Sequence, residues 1–353
     1  MRQKKQILVA PLNWGLGHAT RCIPIINALL DYGFEPVIAS DGDALELLKK
    51  EFSNLQHIEL PAYGIEYPRN GKHLKLKLLK HLPKLLKIIK AEKRIVNNII
   101  DTHHIEGIIS DNRFGVYSKN TPSVYITHQL KVLSGNTTWL SSRMHQRVIK
   151  KFDECWIPDI EGNSNLSGKL GHLNNHFIST KYLGILSRFN SIKTDETYNL
   201  MILLSGPEPQ RGILENHLLT QVQDYKGKVL FVKGKIEASQ TKEIKNNVTI
   251  INYLTGNALD TAINKSEVIV SRSGYTTILD LAKLGKKAFF IPTPGQFEQE
   301  YLAQRFFDKK ITLYCAQDEF TIDKLELLKD YSGFKTLEPS SIPKALFSLF
   351  ECE

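Results

Sequence analysis

Two short turns of small residues constrain the fold of this chain more than any other feature. The first, Gly15–Arg21, follows the apolar run Ile7–Pro11, and the second, Ser271–Thr277, follows the apolar run Val268–Val270. Each pattern predicts a buried strand that turns into a helix, so that free backbone N–H groups at the helix start face a ligand. Because one turn lies in each half of the chain, the sequence predicts two Rossmann-like domains that face one cleft.

Strand-like and helix-like segments alternate along both halves. In the first half the predicted strands are Gln6–Pro11, Glu35–Ser40, Leu55–Leu60, Glu106–Ser110, Ser123–Thr127 and Glu154–Pro158. In the second half they are Leu200–Leu204, Lys228–Val232, Val248–Ile251, Val268–Val270 and Ala288–Ile291. This alternation is typical of parallel sheets covered by helices on both faces. The chain is therefore predicted to be of the α/β class.

A polar, irregular stretch separates the two halves. Residues 187–199 lack the apolar runs found on either side and are predicted to be a linker. We expect an N-terminal domain over residues 1–186, a C-terminal domain over residues 200–340 and a closing helix over residues 341–353. The length of 353 residues suits two domains of ordinary size.

The composition indicates a cytoplasmic globular protein. Hydrophobic residues make up 42% of the chain and charged residues 24%, as in ordinary soluble domains. The sequence has no apolar run long enough to span a membrane, and its first residues do not resemble a signal peptide. Neither metal-ligand spacing nor a disulfide framework is evident among the cysteines, which we expect to be reduced. They are Cys22, Cys155, Cys315 and Cys352.

The net charge of +9 is concentrated in one segment. Between Lys72 and Lys90 there are seven lysines and no acidic residue, and the rest of the chain is nearly balanced, which argues against a nucleic-acid-binding face. A helix over Leu74–Ile89 would have an apolar face opposite a basic face, with Pro83 starting a second helix or kinking a single one. The two faces are Leu74, Leu78, Leu82, Leu85, Leu86 and Ile89 against Lys77, Lys80, Lys84 and Lys87. Such a helix fits an anionic membrane surface, or a domain core with a solvated basic face.

The turn Ser271–Thr277 predicts an anion site in the second half, because the start of a helix favours negative charge and offers free N–H groups. Asp280 lies further along the same predicted helix, where a carboxylate can bind the ribose of a nucleotide. The loop Pro292–Tyr301 leaves another buried strand and brings Gln299 and Glu300 to the same edge of the sheet. These features indicate a nucleotide site.

These segments resemble the nucleotide-sugar site of GT-B glycosyltransferases, in particular the bacterial peptidoglycan GlcNAc transferases and the UDP-glycosyltransferases. The resemblance implies that the segment from Ser271 holds the donor diphosphate and that Asp280 binds the ribose. It also implies that Gln299 and Glu300 contact the sugar, although Glu300 stands where the peptidoglycan enzymes have an amide. The implied donor site comprises Ser205, Gly206, Arg211, Leu254, Ser271, Arg272, Ser273, Gly274, Tyr275, Thr276, Asp280, Gln299 and Glu300.

The first loop of the second domain departs from this pattern. Where the family has a glycine-rich turn, this chain has Ser205–Arg211 with two prolines, which stiffen the turn and remove two N–H donors. Arg211 stands at the head of the next predicted helix. We expect it either to bind phosphate in place of the lost donors or to face solvent.

The first glycine turn resembles the family loop in which a histidine, here His18, faces the acceptor. Histidine titrates in the range that suits removal of a proton from an acceptor hydroxyl. Asp111, at the end of another predicted strand, either orients His18, as in the plant-type UDP-glycosyltransferases, or acts as the base itself. The other acceptor-side candidates are Trp14, Gly15, Gly17, Asn112, Arg113 and His128.

Together these features predict an inverting glycosyltransferase that moves a hexosyl or N-acetylhexosaminyl group from a nucleotide sugar, UDP-linked, to an acceptor hydroxyl. The sequence has no Asp-x-Asp motif in a suitable loop, so we expect no metal ion and no cofactor. The resemblance implies a lipid-linked acceptor and a peripheral position on the inner face of the cell membrane, with residues 72–90 at its surface. The alternatives are a nucleotide-sugar hydrolase or 2-epimerase of the same fold, and a non-catalytic nucleotide-sugar-binding protein.

Overall fold

Apolar runs bounded by polar turns form the strands of two separate seven-stranded sheets. The computed structural model describes residues 4–64, 74–174, 177–192, 194–235, 237–337 and 342–351. The chain divides into two units, each with its own sheet. Unit 1 contains Met1–Ile65, Leu78–Arg188 and Pro339–Glu353, and unit 2 contains Glu66–Lys77 and Phe189–Glu338.

The sheet of unit 1 is parallel throughout. Its strands are β1 (Gln6–Pro11), β2 (Glu35–Ser40), β3 (Gln56–Glu59), β4 (Ile105–Asp111), β5 (Ser123–Ile126), β6 (Glu154–Ile157) and β7 (Ser179–Tyr182), in the order β3-β2-β1-β4-β5-β6-β7. The α-helices of this part of the chain are α1 (Gly17–Asp31), α2 (Gly42–Glu51), α3 (Leu74–His103) and α4 (Thr138–Ile149). The strand order reverses between β1 and β4, so the carboxyl ends of these two strands form the topological switch point.

The sheet of unit 2 has the same plan. Its strands are β8 (Tyr198–Leu203), β9 (Val229–Val232), β10 (Lys242–Lys245), β11 (Val248–Ile251), β12 (Ser266–Ser271), β13 (Lys287–Phe290) and β14 (Leu313–Tyr314), in the order β10-β11-β9-β8-β12-β13-β14. Strand β10 runs antiparallel to β11, and the other neighbouring strands are parallel. The helices are α5 (Gln210–Gln221), α6 (Gly256–Asn264), α7 (Tyr275–Leu284) and α8 (Phe297–Asp308). The switch point lies between β8 and β12, and the predicted α/β class with two Rossmann-like sheets is confirmed.

The C-terminal segment belongs to unit 1. Lys344–Phe350 forms a 3-10 helix, where a closing helix was expected. Its Phe347 ring packs against Trp156 of β6 with ring centroids 5.8 Å apart. Phe350 of the same segment packs against Gly107 of β4. Glycine permits this contact, because a Cβ at that position would lie 2.5 Å from the Phe350 ring.

Three strands, β7, β10 and β14, were missing from the sequence prediction. All three lie at sheet edges, and their residues are half-buried or exposed, so they lack the apolar runs that mark central strands. The predicted linker over residues 187–199 also ends early, because β8 begins at Tyr198. Edge strands of this kind are held by backbone pairing more than by burial, and their side chains show little pattern.

Helix α3 continues through Pro83 as a single element. On its predicted apolar face, Leu85 and Ile89 are half-buried and Leu86 is 52% exposed. The side chains of Leu74, Lys77, Leu78, Lys80 and Leu82 lie outside the described residues. Within the part of the chain that the structure describes, no helix is both long and apolar enough to cross a membrane.

Candidate active site

The switch point of unit 1 brings together His18 and Asp111. His18 lies in the first turn of α1, after a turn in which Gly15 has a φ of +79° that disfavours other residues. Asp111 is the last residue of β4 and is fully buried. Nδ1 of His18 lies 2.8 Å from Oδ1 of Asp111, and 15% of the histidine side chain is exposed. A buried carboxylate therefore orients a histidine that solvent can still reach.

Arg21 completes this cluster, although it was not among the site residues predicted from the sequence. It lies one turn after His18 on α1 and is buried. Its Nε donates to Oδ2 of Asp111 at 2.5 Å, and its Nη2 donates to Oδ1, which makes a bidentate ion pair. Nη2 also lies 2.9 Å from Nδ1 of His18, and Nη1 lies 3.1 Å from Nδ1 of His128. The available signal was the i, i+3 spacing from His18, which puts both side chains on one helix face.

Burial and charge set the protonation of the pair. Burial alone would raise the pKa of Asp111, but Arg21 and His18 outweigh it and hold this pKa well below the usual range. Burial lowers the pKa of His18, and Arg21 adds to that effect against the opposing charge of Asp111. At neutral pH this leaves an ionised Asp111 beside a neutral imidazole. With its Nδ1 proton toward the carboxylate, that imidazole has an Nε2 lone pair that can accept a proton.

Two of the acceptor-side candidates, Arg113 and Asn112, make hydrogen bonds within the protein. Arg113 is fully buried, and its guanidinium donates to Glu92 of α3 at 2.7 Å and to Asp41 at 2.6 Å. Asn112 has a left-handed backbone with φ of +59°, and its Oδ1 accepts a hydrogen bond of 2.9 Å from Tyr125. Their polar groups therefore stabilise the loop after β4, and an acceptor-side role of either residue stays a prediction.

The remaining acceptor-side candidates flank the cluster. Trp14 is 39% exposed in the loop between β1 and α1, and Gly17 is the first residue of α1. His128 follows β5 and is buried against Arg21. Of these residues, Trp14 is the one whose side chain offers an apolar surface to a ligand.

In unit 2 the end of β12 and the start of α7 form the predicted anion site. Gly274 caps α7, and a Cβ added there would meet Thr277 Oγ1 at 3.9 Å and no nearer atom among the described residues. The Ser273 hydroxyl points inward and donates to the Gln299 carbonyl at 2.8 Å, and Ser271 is buried. What this helix start offers an anion is therefore its backbone N–H groups.

The other predicted donor-site residues lie around this helix start. On α7, Tyr275 is buried, and Thr276 and Asp280 are half-buried. Leu254 is half-buried between β11 and α6. Strands β8, β9, β11 and β12 are parallel, so their carboxyl ends lie at one edge of the sheet. The loop that contains Leu254 and the start of α7 follow two of these strand ends.

The guanidinium of Arg272 is hydrogen-bonded to acceptors of the protein itself. Its Nη1 donates to the carbonyls of Ile291 and Pro292, each at 3.0 Å, and its Nη2 donates to the Gln210 carbonyl at 2.9 Å and to Gln317 Oε1 at 2.6 Å. Burial lowers its pKa to about 9, so the group remains charged at neutral pH. These four bonds connect the loop after β13, the start of α5 and Gln317, and the assignment of Arg272 to the donor site stays a prediction.

Arg211 is engaged as well. Its Nε donates to Glu208 at 2.7 Å and its Nη1 to Glu215 at 2.5 Å, and its side chain is 7% exposed. The side chain therefore does not face solvent, and phosphate binding by Arg211 stays a prediction. The preceding Ser205 and Gly206 are exposed.

Gln299 and Glu300 hold their own loop with one oxygen each. Gln299 Oε1 accepts from the Thr293 N–H at 2.8 Å, and Glu300 Oε1 accepts from the Gly295 N–H at 3.1 Å. Because each bond uses a single oxygen, the Gln299 amide can still donate to a ligand, and the second carboxylate oxygen of Glu300 can still accept. Gln299 is half-buried and Glu300 is exposed.

The described cysteines and acidic residues form no further site of the expected kinds. Cys22, Cys155 and Cys315 are buried and free, and Cys352 lies outside the described residues. In the ranges that the structure describes, no three His, Cys, Asp or Glu side chains group as metal ligands.

Known proteins with this arrangement are glycosyltransferases. Residues 208–335 match the glycosyltransferase family 28 C-terminal domain. Over 259 residues the chain is 21% identical to the UDP-N-acetylglucosamine--N-acetylmuramyl-(pentapeptide) pyrophosphoryl-undecaprenol N-acetylglucosamine transferase of Haemophilus ducreyi, covering 68% of this chain and 70% of that protein. Over 327 residues it is 24% identical to an uncharacterized glycosyltransferase of Methanosarcina acetivorans, covering 84% and 81% of the two chains.

The fold has solved counterparts. The spinosyn rhamnosyltransferase SpnG, complexed with thymidine diphosphate, matches with a TM-score of 0.63 and 11% identity over 93% of each chain. At this identity the likeness shows the fold, and the domain match supplies the class. The protein is therefore a glycosyltransferase with the GT-B fold, and its residues 208–335 match the glycosyltransferase family 28 C-terminal domain.

Proposed function

We propose that this enzyme transfers a hexosyl or N-acetylhexosaminyl group from a UDP-linked donor bound by unit 2 to a hydroxyl of an acceptor bound by unit 1. The observation that carries the proposal is the buried Asp111 carboxylate that orients His18 at the switch point of unit 1. Switch points of parallel sheets are where α/β folds bind their ligands. A base at one such point suits activation of an acceptor hydroxyl.

His18 is the base in this mechanism. Its Nε2 takes the proton of the acceptor hydroxyl while that oxygen attacks the anomeric carbon of the donor. The bond from this carbon to the diphosphate oxygen breaks in the same step, so the configuration inverts. Asp111 stays ionised and stabilises the imidazolium, since Arg21 and His18 already occupy its oxygens and keep its pKa low.

Unit 2 stabilises the leaving group. The backbone N–H groups at the start of α7 donate hydrogen bonds to the diphosphate and stabilise the negative charge that develops on it. Asp280 accepts hydrogen bonds from the ribose, and the free groups of Gln299 and Glu300 bind sugar hydroxyls. In this proposal the helix start takes the place of a metal ion.

The relatives support a UDP-linked donor. The Haemophilus ducreyi protein is named for UDP-N-acetylglucosamine, which favours that nucleotide sugar. SpnG holds thymidine diphosphate, which keeps a thymidine-linked donor as the alternative. We propose the UDP-linked donor because the relative that names it also matches this chain by sequence.

The acceptor is proposed to be lipid-linked, because the same relative is named for a pyrophosphoryl-undecaprenol substrate. The basic segment over residues 72–90 would then meet anionic lipid on the cytoplasmic side of the membrane, in a role in cell-envelope synthesis. Exposure of Lys84, Leu86 and Lys87 supports such a contact. Cosedimentation with anionic vesicles that is lost at high ionic strength tests this location.

Replacement of the base tests the proposed function. UDP release from a panel of UDP-sugars is measured with and without a polyprenyl-pyrophosphate acceptor. His18→Gln should lower turnover by a factor of about 100 to 10,000 and leave donor affinity nearly unchanged. His103→Gln, at the far end of α3, is the matched control and should retain full turnover.

The same assay separates the alternatives. Equal UDP release without acceptor would indicate a hydrolase, and donor binding without turnover would indicate a binding protein. Near-normal turnover of a folded His18→Gln variant would refute the assignment of the base.

A further inference from the structure

We propose that Arg21 is a positioning residue that controls the charge of His18 and the orientation of Asp111, so that the acceptor side works as an Arg-Asp-His triad. The inference rests on the proposed role of His18 as base. It adds a residue that the pairing of His18 with Asp111 does not require.

The contacts of Arg21 converge on this one cluster. Its Nε and Nη2 hold both oxygens of Asp111, its Nη2 lies 2.9 Å from Nδ1 of His18, and its Nη1 lies 3.1 Å from Nδ1 of His128. All four residues are buried or nearly so. A guanidinium that grips both carboxylate oxygens fixes the carboxylate plane, and with it the direction in which Oδ1 faces His18.

The same geometry balances the charges around His18. Its Nδ1 lies 2.8 Å from the negative Asp111 and 2.9 Å from the positive Arg21. Two opposite charges at nearly equal distances largely cancel in their effect on an imidazolium. Burial then decides the protonation state and favours the neutral ring.

Two other titratable groups, Cys22 and His128, face the cluster, and neither adds a negative charge beside His18. Cys22 Sγ lies 3.6 Å from Asp111 Oδ2, and burial raises the pKa of the thiol, which therefore stays neutral. Nδ1 of His128 lies 3.1 Å from Nη1 of Arg21, and this histidine acts in the same direction as Arg21, lowering the pKa of His18. Arg21 is thus the cation that offsets Asp111.

The consequence concerns pH. A histidine beside an unpaired buried carboxylate is held protonated to higher pH, which removes the base. With Arg21 in place, the pKa of His18 lies below the ordinary histidine value of 6.5. The acidic limb of kcat/KM, which reports protonation of the base, should therefore also lie below pH 6.5. Loss of the arginine charge should move the limb upward.

The test combines a histidine ring NMR titration with pH profiles of kcat/KM. The His18 signal is identified among the 11 histidines by its absence in His18→Gln. In Arg21→Met the His18 midpoint should rise by about one to three pH units, and the acidic limb of kcat/KM should rise with it. Arg21→Lys retains the charge and should leave the midpoint within about half a unit of the wild-type value.

The outcomes separate this inference from the proposed function. An unchanged midpoint in folded Arg21→Met would overturn the role of Arg21. A raised midpoint without a matching shift in the acidic limb of kcat/KM would keep that role and refute His18 as the base.

If Arg21→Met does not fold, the His18 midpoint of Asp111→Asn is compared with that of Arg21→Met/Asp111→Asn. Removal of Arg21 must raise the midpoint in that background too, and no difference between the two variants would overturn the inference.

Discussion

The two units share one topology and use their buried arginines differently. At the switch point of unit 1, Arg21 is paired with a carboxylate beside a histidine that can titrate. At the switch point of unit 2, Arg272 is bound to backbone carbonyls and Arg211 to two glutamates. The comparison shows that an arginine in a predicted ligand loop can be occupied by protein acceptors, because a buried guanidinium needs hydrogen-bond partners for its N–H groups.

A second difference follows from the first. The candidate site of unit 1 consists of titratable and charged side chains. That of unit 2 consists mainly of backbone N–H groups at the start of α7. Substitutions in unit 1 should therefore change the chemistry with little effect on donor binding. Those in unit 2 should change stability or donor affinity.

The largest effect is expected from Arg272→Met, which tests the structural role of this arginine. The substitution leaves the buried carbonyls of Ile291, Pro292 and Gln210 without their donor, at about 1–3 kcal/mol for each unsatisfied group. We expect the free energy of unfolding to fall by about 3–5 kcal/mol, measured by urea denaturation.

Arg147→Met, on the exposed face of α4, is the matched control and should change stability by less than about 0.5 kcal/mol. If Arg272→Met were as stable as this control but had lost affinity for UDP, the guanidinium would bind the donor. The contrast between the two units would then fail.

The fold was largely predictable from the sequence, because central parallel strands such as β1 and β12 are continuous apolar runs that end at small residues. The edge strand β10 was not predictable, since its residues Lys242–Lys245 are all exposed and carry no apolar pattern. Backbone pairing with β11 forms that strand, and such pairing depends on the neighbouring chain and not on local sequence.

The candidate site was predictable in its positions and less so in its contacts. Asp111 is the last residue of β4 and His18 lies at the start of the helix that follows β1, at the sheet edge where the alternation of strands and helices predicts a ligand site. The directions of Arg113, Arg211 and Arg272 depend on which carbonyls and carboxylates the folded loops bring near, and the linear spacing does not contain this information. Arg21 was missed for the same reason, because a cation among apolar helix residues reveals its partner only in the fold.

An intermediate effect is expected from Asp280→Ala. Loss of a charged acceptor for the ribose hydroxyls should weaken UDP binding by about 1.5–3 kcal/mol, roughly tenfold to a hundredfold, measured by calorimetric titration. The exposed Asp318→Ala serves as the control and should bind UDP as the wild type does. Unchanged affinity of folded Asp280→Ala would place the ribose elsewhere on the sheet edge.

The smallest effect is expected from Glu300→Gln, which separates loop support from sugar contact. The amide oxygen can still accept from the Gly295 N–H, so the loop after β13 should keep its shape and UDP affinity should not change. An NH2 group replaces the second oxygen and cannot accept the hydrogen bond of a sugar hydroxyl, so transition-state binding should weaken by about 1 kcal/mol, less than tenfold in kcat/KM. The measurement is the ratio of kcat/KM for UDP-N-acetylglucosamine to kcat/KM for UDP-glucose.

Glu300→Ala removes both oxygens and should lower kcat/KM for both donors, since the loop also loses its hydrogen bond to the Gly295 N–H. If neither variant altered the ratio, Glu300 would support the loop alone, and sugar selection in unit 2 would fall to Gln299.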